Sequence, residues 1–327
     1  MTDPISHVNV WPVEDELLIT WRGGGDVSVF VSDDPIDAGT DVRPPEAPGR
    51  VSVARQGRPY IHLFDPDSGF TVAAERLIEM DGVRNFRDIG GYPTTDGGQT
   101  RWGQVFRSGR LDETSDDDLD RIRGLGIDVV FDLRTQMEVD QNPNRLPAEV
   151  DYVQMPMSSQ VAVHKGLLDR ILDGDVSSYT KADMAEGYGR MIEHFPEYLS
   201  TMVGAVADGR KVLFHCTAGK DRTGITAMTL LVNAGVADPH VLDDYEISAQ
   251  YQPEGRVEFF SDEIVKAGLD PTAYDLAAML GSPRPVMRMT LEAIRQRFDD
   301  HHGYFDHLGV DQATRAAARE NLRYVDP

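Results

Sequence analysis

Residues 211–232 read KVLFHCTAGKDRTGITAMTLLV: an apolar run ends in His215-Cys216, a short loop covers Thr217 to Asp221, and Arg222-Thr223-Gly224 opens a second apolar stretch. The pattern predicts a buried strand, a tight loop and a helix, in that order. A loop of this length at a helix N-terminus turns several backbone N–H groups inward at the positive end of the dipole, a cradle the size of a tetrahedral dianion. A cysteine in such a field sits where the thiolate, the nucleophilic form, is favoured. Arg222, six residues on, is spaced to return across the loop and grip two phosphate oxygens with its planar fork. Gly219 supplies the backbone freedom that the curl requires. A lone cysteine is more often a small buried hydrophobe than a nucleophile; the Arg at +6, the Thr at +7 and the strand–loop–helix frame move the balance to chemistry.

HCTAGKDRTG (215–224) resembles the HCxxGxxR[ST]G signature of the cysteine-dependent protein tyrosine phosphatase superfamily. Together with NFRDIGGY (85–92), VFRSGRL (105–111) and FDLRT (131–135), in that order, it resembles the atypical bacterial tyrosine/lipid phosphatases, over residues 79–327. The resemblance implies two-step phosphomonoester hydrolysis through a phosphocysteine, with no cofactor and no metal. Cys216 matches the nucleophile and Arg222 the phosphate clamp. His215 matches the residue that fixes the loop beneath the thiolate, although it reads equally well as a satisfied core histidine. Thr223 matches the hydroxyl that helps the thiolate leave, or is simply a helix-start residue. Thr217, Ala218 and Gly219 form the substrate-binding loop, and Lys220 matches the extra loop cation found where phosphoinositides are accepted, with a solvated lysine as the plain alternative.

The proton donor is less direct. The usual tyrosine phosphatases supply it from a Trp-Pro-Asp loop, but here Trp11-Pro12 is followed by Val13, Trp102 by Gly103, and Trp21 by Arg22. Two aspartates remain. Asp221 lies inside the loop, and the resemblance favours it; Asp132 closes a strand, where α/β active sites gather, and serves as the secondary candidate or as a support of the loop.

Arg84, Arg87, Arg101, Arg107 and Arg110 form a basic island opposed only by Asp88 and Asp96. Arg87 and Asp88 are expected to buttress the phosphate loop; the other reading makes Arg87 a substrate-binding residue for a second phosphate. The island stands out because the 327-residue chain has 32 Lys and Arg against 55 Asp and Glu, a formal charge of −23. Such a chain is repelled by polyanions, so nucleic acid is a poor partner; a phosphorylated protein or a phosphoinositide is the expected one. One cysteine excludes an intrachain disulfide and a Cys-rich metal site. No apolar run reaches the roughly 20 residues that span a bilayer, and the N-terminus has no basic start or apolar core of a signal, which predicts a cytoplasmic protein without an integral membrane segment.

Around the loop, QVFR (104–107), IDVVFDLR (127–134), YVQM (152–155) and KVLFHC (211–216) alternate with helical stretches, which predicts an α/β fold with a central, mostly parallel sheet flanked by helices. One helix is expected after Thr114 or Ser115, stopping at Gly124, and another at Asp238-Pro239, cap then N1 proline. The chain after 236 reads as helical. Residues 158–190 exceed a minimal crossover and form either a lid or one more packed helix. The first 78 residues read instead as short strands: ELLITWR, DVSVFVS, RVSVA (50–54), PYIHLF (59–64) and FTVAAERLIEM (70–80). They predict a small all-β, sandwich-like N-terminal domain of unknown partner, similar to a fibronectin type III module, preceding a catalytic domain over 79–327. Two other functions share parts of the pattern. A non-catalytic phosphate-binding module would normally lack the Cys or the Arg, and a sulfurtransferase would not need the Arg-Thr-Gly that follows the loop.

Overall fold

The computed structural model describes residues 3–67, 69–157, 167–251 and 254–324. Its centre is a five-stranded sheet of β8 (Arg87–Asp88), β9 (Val105–Ser108), β10 (Val129–Asp132), β11 (Asp151–Gln154) and β12 (Val212–His215), in the order β11-β10-β12-β9-β8. The four longer strands are parallel and β8 is antiparallel to β9. Strands β9, β10 and β12 are buried on both faces, which is why they read as continuous apolar runs rather than alternating ones. Alternate side chains feed two cores: Val105, Val129, Phe131, Val212 and Phe214 face one, Phe106, Val130 and Leu213 the other. The register sets Asp132 and Ser108 on either side of His215, at the C-terminal ends of the strands.

Helix α1 (Asp116–Leu125) covers the smaller core with Ile122. Ser115 and Asp118 form a capping box at its start, and Gly126 ends it in the left-handed region with φ +66°. The expected stop at Gly124 is thus two residues early, since it is Gly126 that takes the left-handed cap. Short α2 (Gln136–Gln141) follows β10, capped by Thr135 and Glu138. After α3 (Leu167–Leu172), helices α4 (Lys181–His194), α5 (Pro196–Ala207) and α6 (Asp221–Ala234) fill the larger core. Of the stretch weighed as a lid, 158–166 lies outside the described residues, and α4 packs Met184, Tyr188, Met191 and Ile192 inward. The remainder is helical: α7 (Asp238–Ile247), α8 (Arg256–Lys266), α9 (Leu276–Leu280), α10 (Arg284–Phe298), α11 (His301–His307) and α12 (Gln312–Asn321). In α7 the N-cap is Ala237, without a side-chain cap, and Asp238 is already helical; its carboxylate instead meets Arg295 of α10.

Residues 6–73 carry seven strands in two antiparallel sheets. β1 (Ser6–Val13), β2 (Glu16–Arg22) and β5 (Arg50–Ala54) form one; β4 (Asp41–Arg43), β3 (Ser28–Ser32), β6 (Tyr60–Asp65) and β7 (Gly69–Ala73) form the other, in those orders. Leu17, Ile19, Trp21, Val51 and Val53 from the first meet Val29, Ile61, Leu63 and Ala73 from the second in one core. The FTVAAERLIEM run leaves strand conformation after Ala73. There Arg76 turns to give hydrogen bonds to the carbonyls of Asp88 and Gly90 and to lie over the Tyr92 ring.

Candidate active site

The chain between β12 and α6 curls back on itself at Gly219, whose φ is +66° and whose missing Cβ would lie 2.5 Å from the Ser108 carbonyl oxygen. Both the backbone angle and the close approach require glycine. The loop is held from outside by its carbonyls. Asn85 Nδ2 donates to Ala218 O at 3.1 Å and to Gly219 O at 2.9 Å; Arg107 Nη2 donates to Gly219 O at 2.7 Å; and the Arg110 N–H donates to Thr217 O at 3.1 Å. A planar trans peptide sends its N–H opposite its C=O, so carbonyls tied outward leave amides turned to the concave side. Among the described residues no backbone N–H from Thr217 to Asp221 meets a protein acceptor. Amides arranged in this way are suited to hold an anion. Cys216 sits at its base, 2% exposed.

The outer supports hang on one buried carboxylate. Asp244 of α7 takes Arg87 Nε at 3.0 Å on one oxygen and Arg107 Nη1 on the other. Burial alone would raise this carboxyl, but the charges of Arg107 and Arg87 outweigh it and hold it down at about 2. Burial, together with the charge of Arg87, lowers Arg107 to about 10. Arg87 also donates to the Asp244 carbonyl at 2.8 Å and Ser248 Oγ at 3.1 Å, and it meets Asn85 Oδ1. Arg87 is therefore a buttress, fully buried and spent on protein acceptors, which corrects the reading of it as a substrate-binding residue for a second phosphate. The basic island disperses likewise: Arg107 is buried, Arg110 pairs with Asp112 and Glu113, and Arg84 is exposed.

Arg222, in the first turn of α6, presents Nη1 and Nη2 to the two oxygens of Glu138 at 2.7 Å each. Its Nε makes no hydrogen bond to any described residue, which leaves that edge of the fork for an anion. Glu138 also accepts from the Thr135 N–H at 2.9 Å, closing the cap of α2, and from Thr217 Oγ1. Burial opposes its ionisation, yet the hydrogen bonds and charge of Arg222 hold it well below the usual carboxylate range.

Asp132 is fully buried and surrounded by donors: Arg134 through Nε and Nη2, Asn144 Nδ2 at 2.9 Å and the Tyr152 hydroxyl at 3.1 Å. Asn144 Nδ2 lies 3.1 Å from His215 Nε2, and His215 Nδ1 lies 3.2 Å from the Cys216 carbonyl. Burial pushes the imidazole down to about 4, so it is neutral at pH 7. With Nε2 accepting from Asn144, the proton resides on Nδ1 and is donated to Cys216 O, fixing the peptide beneath the sulfur.

Lys220 departs from expectation. It is 4% exposed, and its ammonium donates to Met279 O at 2.7 Å and Gly281 O at 2.8 Å at the end of α9, with Asp221 Oδ1 at 3.3 Å. Its charge is drawn to the unpaired carbonyls of a helix C-terminus, which corrects the picture of a loop cation reaching a substrate. Asp221 opens α6 and is partly exposed; its Oδ1 accepts from the Tyr188 hydroxyl at 2.5 Å, and Tyr188 shares a hydrogen bond of 2.7 Å with Tyr245. Thr223 Oγ1 is buried with no hydrogen-bond partner among the described residues. Among the described residues no group of three or more His, Cys, Asp or Glu side chains is placed to hold a metal ion. Glu138, Asp244, Tyr188, Tyr245 and Asn144 do not stand out in the sequence. Glu138 was visible only as the fourth residue of a TxxE capping box, and the others carry no local signal.

The sheet and the loop with its Cys–Arg pair have the form of the protein tyrosine phosphatase class. Residues 78–324 match the model of the Tyrosine phosphatase family, and the chain belongs to that family. It is 33% identical over 180 residues to a protein of Cupriavidus necator named as a tyrosine-protein phosphatase, covering 55% of this chain and 66% of that one. It is also 29% identical over 270 residues to the triple specificity protein phosphatase PtpB of Mycobacterium tuberculosis, covering 72% and 95%. The crystal structure of TpbA from P. aeruginosa aligns with 54% of this chain and 86% of its own, at 13% identity and a TM-score of 0.26. The protein is a protein-tyrosine-phosphatase-like hydrolase. Among the described residues no helix is long and apolar enough to cross a membrane.

Proposed function

We propose that the chain hydrolyses phosphorylated tyrosine, and related phosphomonoesters, through a phosphocysteine. Cys216 Sγ attacks phosphorus while the ester oxygen departs, taking a proton from Asp221; water then attacks the phosphocysteine, giving its proton to the Asp221 carboxylate, and the S–P bond breaks to release phosphate and restore the thiolate. The loop N–H groups and the free edge of Arg222 take the charge on the equatorial oxygens. Thr223 Oγ1, buried without a partner, is suited to donate to the returning sulfur. Full burial and a complete set of donors make Asp132 a support of His215 rather than the acid. The observation that carries the reading is the set of loop amides without protein acceptors around Cys216. Phosphoinositides remain a second substrate class on the loop resemblance, without the help of Lys220. The boundary near residue 78 is supported by the separate core of residues 17–73 and by the start of the family match.

The test pairs Cys216→Ser with Arg222→Ala on a tyrosine-phosphorylated peptide. Both should fall at least a thousandfold in kcat/KM, Cys216→Ser with unchanged melting and still binding vanadate, Arg222→Ala with the lower melting that an unpaired Glu138 brings. Turnover within tenfold of wild type in either variant removes the mechanism.

A further inference from the structure

We propose that Tyr188, backed by Tyr245, is the positioning residue of the proton donor: it fixes one oxygen of the Asp221 carboxyl so that the other presents the proton to the departing oxygen. This rests on the assignment of Asp221 as the acid.

The geometry around Asp221 is one-sided. Tyr188 OH at 2.5 Å and Lys220 Nζ at 3.3 Å both address Oδ1. No described residue donates to Oδ2. A carboxyl with one oxygen saturated by donors carries its proton on the other. Oδ2 is therefore the donating atom. When the proton has left, Oδ1 shares the new negative charge, and the bond from Tyr188 strengthens as charge-assisted bonds do. It stabilises the transition state more than the ground state, which is the condition for a catalytic contribution.

The direction of the hydroxyl chain follows from its end point. An ionised carboxylate only accepts, so Tyr188 donates to Asp221, and its own oxygen is left to accept from Tyr245, 2.7 Å away. Both rings are buried, 2% and 1% exposed, and meet edge to face at 6.2 Å and 83°. Burial, followed by the charge of Asp221, raises both phenols well above the ordinary tyrosine value, so each keeps the proton that it must donate. The seat of Tyr245 is cut into α6 itself: a Cβ at Gly224 would lie 3.1 Å from Tyr245 Cδ2. The glycine after Arg222-Thr223 thus admits the ring that stands behind the acid. Tyr188 comes from α4 and Tyr245 from α7, the helix whose neighbouring Asp244 holds Arg107 on the loop, so one turn of α7 steadies both cradle and acid.

A purely structural role, packing α4 against α6 and α7, would survive Tyr188→Phe, which keeps the ring. The experiment measures kcat/KM for wild type, Tyr188→Phe, Asp221→Asn and the double variant on two substrates: para-nitrophenyl phosphate, whose leaving group needs little protonation, and phosphotyrosine peptide, whose phenol needs more. Tyr188→Phe should lose about tenfold on the peptide and less than twofold on the activated ester, and should cost less than twofold further in the Asp221→Asn background. Tyr245→Phe should show the same selectivity at smaller size and stands in if Tyr188→Phe misfolds. Equal losses on both substrates, or losses that multiply in the double variant, overturn the proposal. If Asp221→Asn itself does not distinguish the two leaving groups, the acid assignment falls and the proposal with it; if it does and Tyr188→Phe does not, only the proposal falls.

Discussion

Glu138 and Arg222 meet end to end, each carboxylate oxygen on its own guanidinium nitrogen at 2.7 Å. The pair fixes the plane of the fork and also sets a negative charge beside an anion site, so its removal has two opposed effects. A loosened clamp lowers the rate of the chemical step, and a lost negative charge favours substrate binding. Glu138→Gln is expected to lower kcat about tenfold and Glu138→Ala about a hundredfold, neither raising KM. Steady-state kinetics on a phosphotyrosine peptide decide it. A raised KM with kcat intact would make Glu138 a substrate contact instead.

Acid should destabilise the protein through His215 before it reaches the carboxylates. The folded imidazole titrates at about 4, against about 6.5 in an unfolded chain. Between those values the unfolded state binds the extra proton, so stability is complete above about pH 6.5 and declines as pH falls to 4, by on the order of 3 kcal/mol. Asp244, held at about 2, contributes stability that is complete above the unfolded carboxylate value of about 3.9 and is lost as pH falls from there to 2, below the window of His215. Denaturant unfolding at pH 7.5, 5.5 and 4.5 should show the slope, and His215→Asn should flatten it. An equal slope in both proteins would assign it elsewhere.

Lys220→Ala should act on the fold and not on substrate choice. Its ammonium ties the start of α6 to the end of α9 through the Met279 and Gly281 carbonyls. Losing both bonds leaves buried carbonyls unmet, at a cost of about 1–3 kcal/mol. Rates on a phosphotyrosine peptide and a soluble short-chain phosphoinositide should fall together. A loss confined to the phosphoinositide would return the lysine to the substrate.

What the sequence disclosed follows from how local each signal is. Strands β9, β10 and β12 and the loop were legible because a doubly buried strand is a continuous apolar run and because Cys216, Gly219 and Arg222 stand within seven residues of each other. Strands β1 and β4 were not: β1 alternates half-buried with exposed positions and ends exposed, and β4 is three exposed residues on an edge. Counting charge along the chain made 84–110 a basic patch, whereas the partner of Arg87 and Arg107, Asp244, lies more than a hundred positions away. Glu138 satisfied a helix cap so completely that nothing marked it as a partner of Arg222. Lys220 could not be read as buried, because its acceptors are two carbonyls near residue 280.

A polar and aromatic seam joins the β-sheets of residues 6–73 to the rest. Arg58, beside β6, donates to Asp88 Oδ2 at 2.8 Å and to Tyr60 OH at 2.7 Å, and lies over the Trp102 ring. Trp102 Nε1 donates to Val72 O at 2.8 Å, and the Gln99 side chain accepts from Val72 N and donates to Val72 O, taking the place of a neighbouring strand along β7. Asp88 is wholly buried, also accepts from the N–H groups of Gly90 and Gly103, and follows Arg87 in the hairpin that holds the loop. A catalytic domain over 79–327, as the sequence predicts it, would stand alone. The seam argues otherwise: cutting there bares Trp102 and takes from Asp88 the one cation that pairs with it among the described residues. Arg58→Ala in the full chain should cost about 3 kcal/mol, and a fragment beginning at residue 78 should melt about 10 °C lower and lose kcat/KM as Asn85 and Arg87 loosen. Differential scanning calorimetry and peptide kinetics on both proteins test this. A fragment that melts with the full chain and keeps its kcat/KM would make the catalytic part an independent unit and the sheets a passenger.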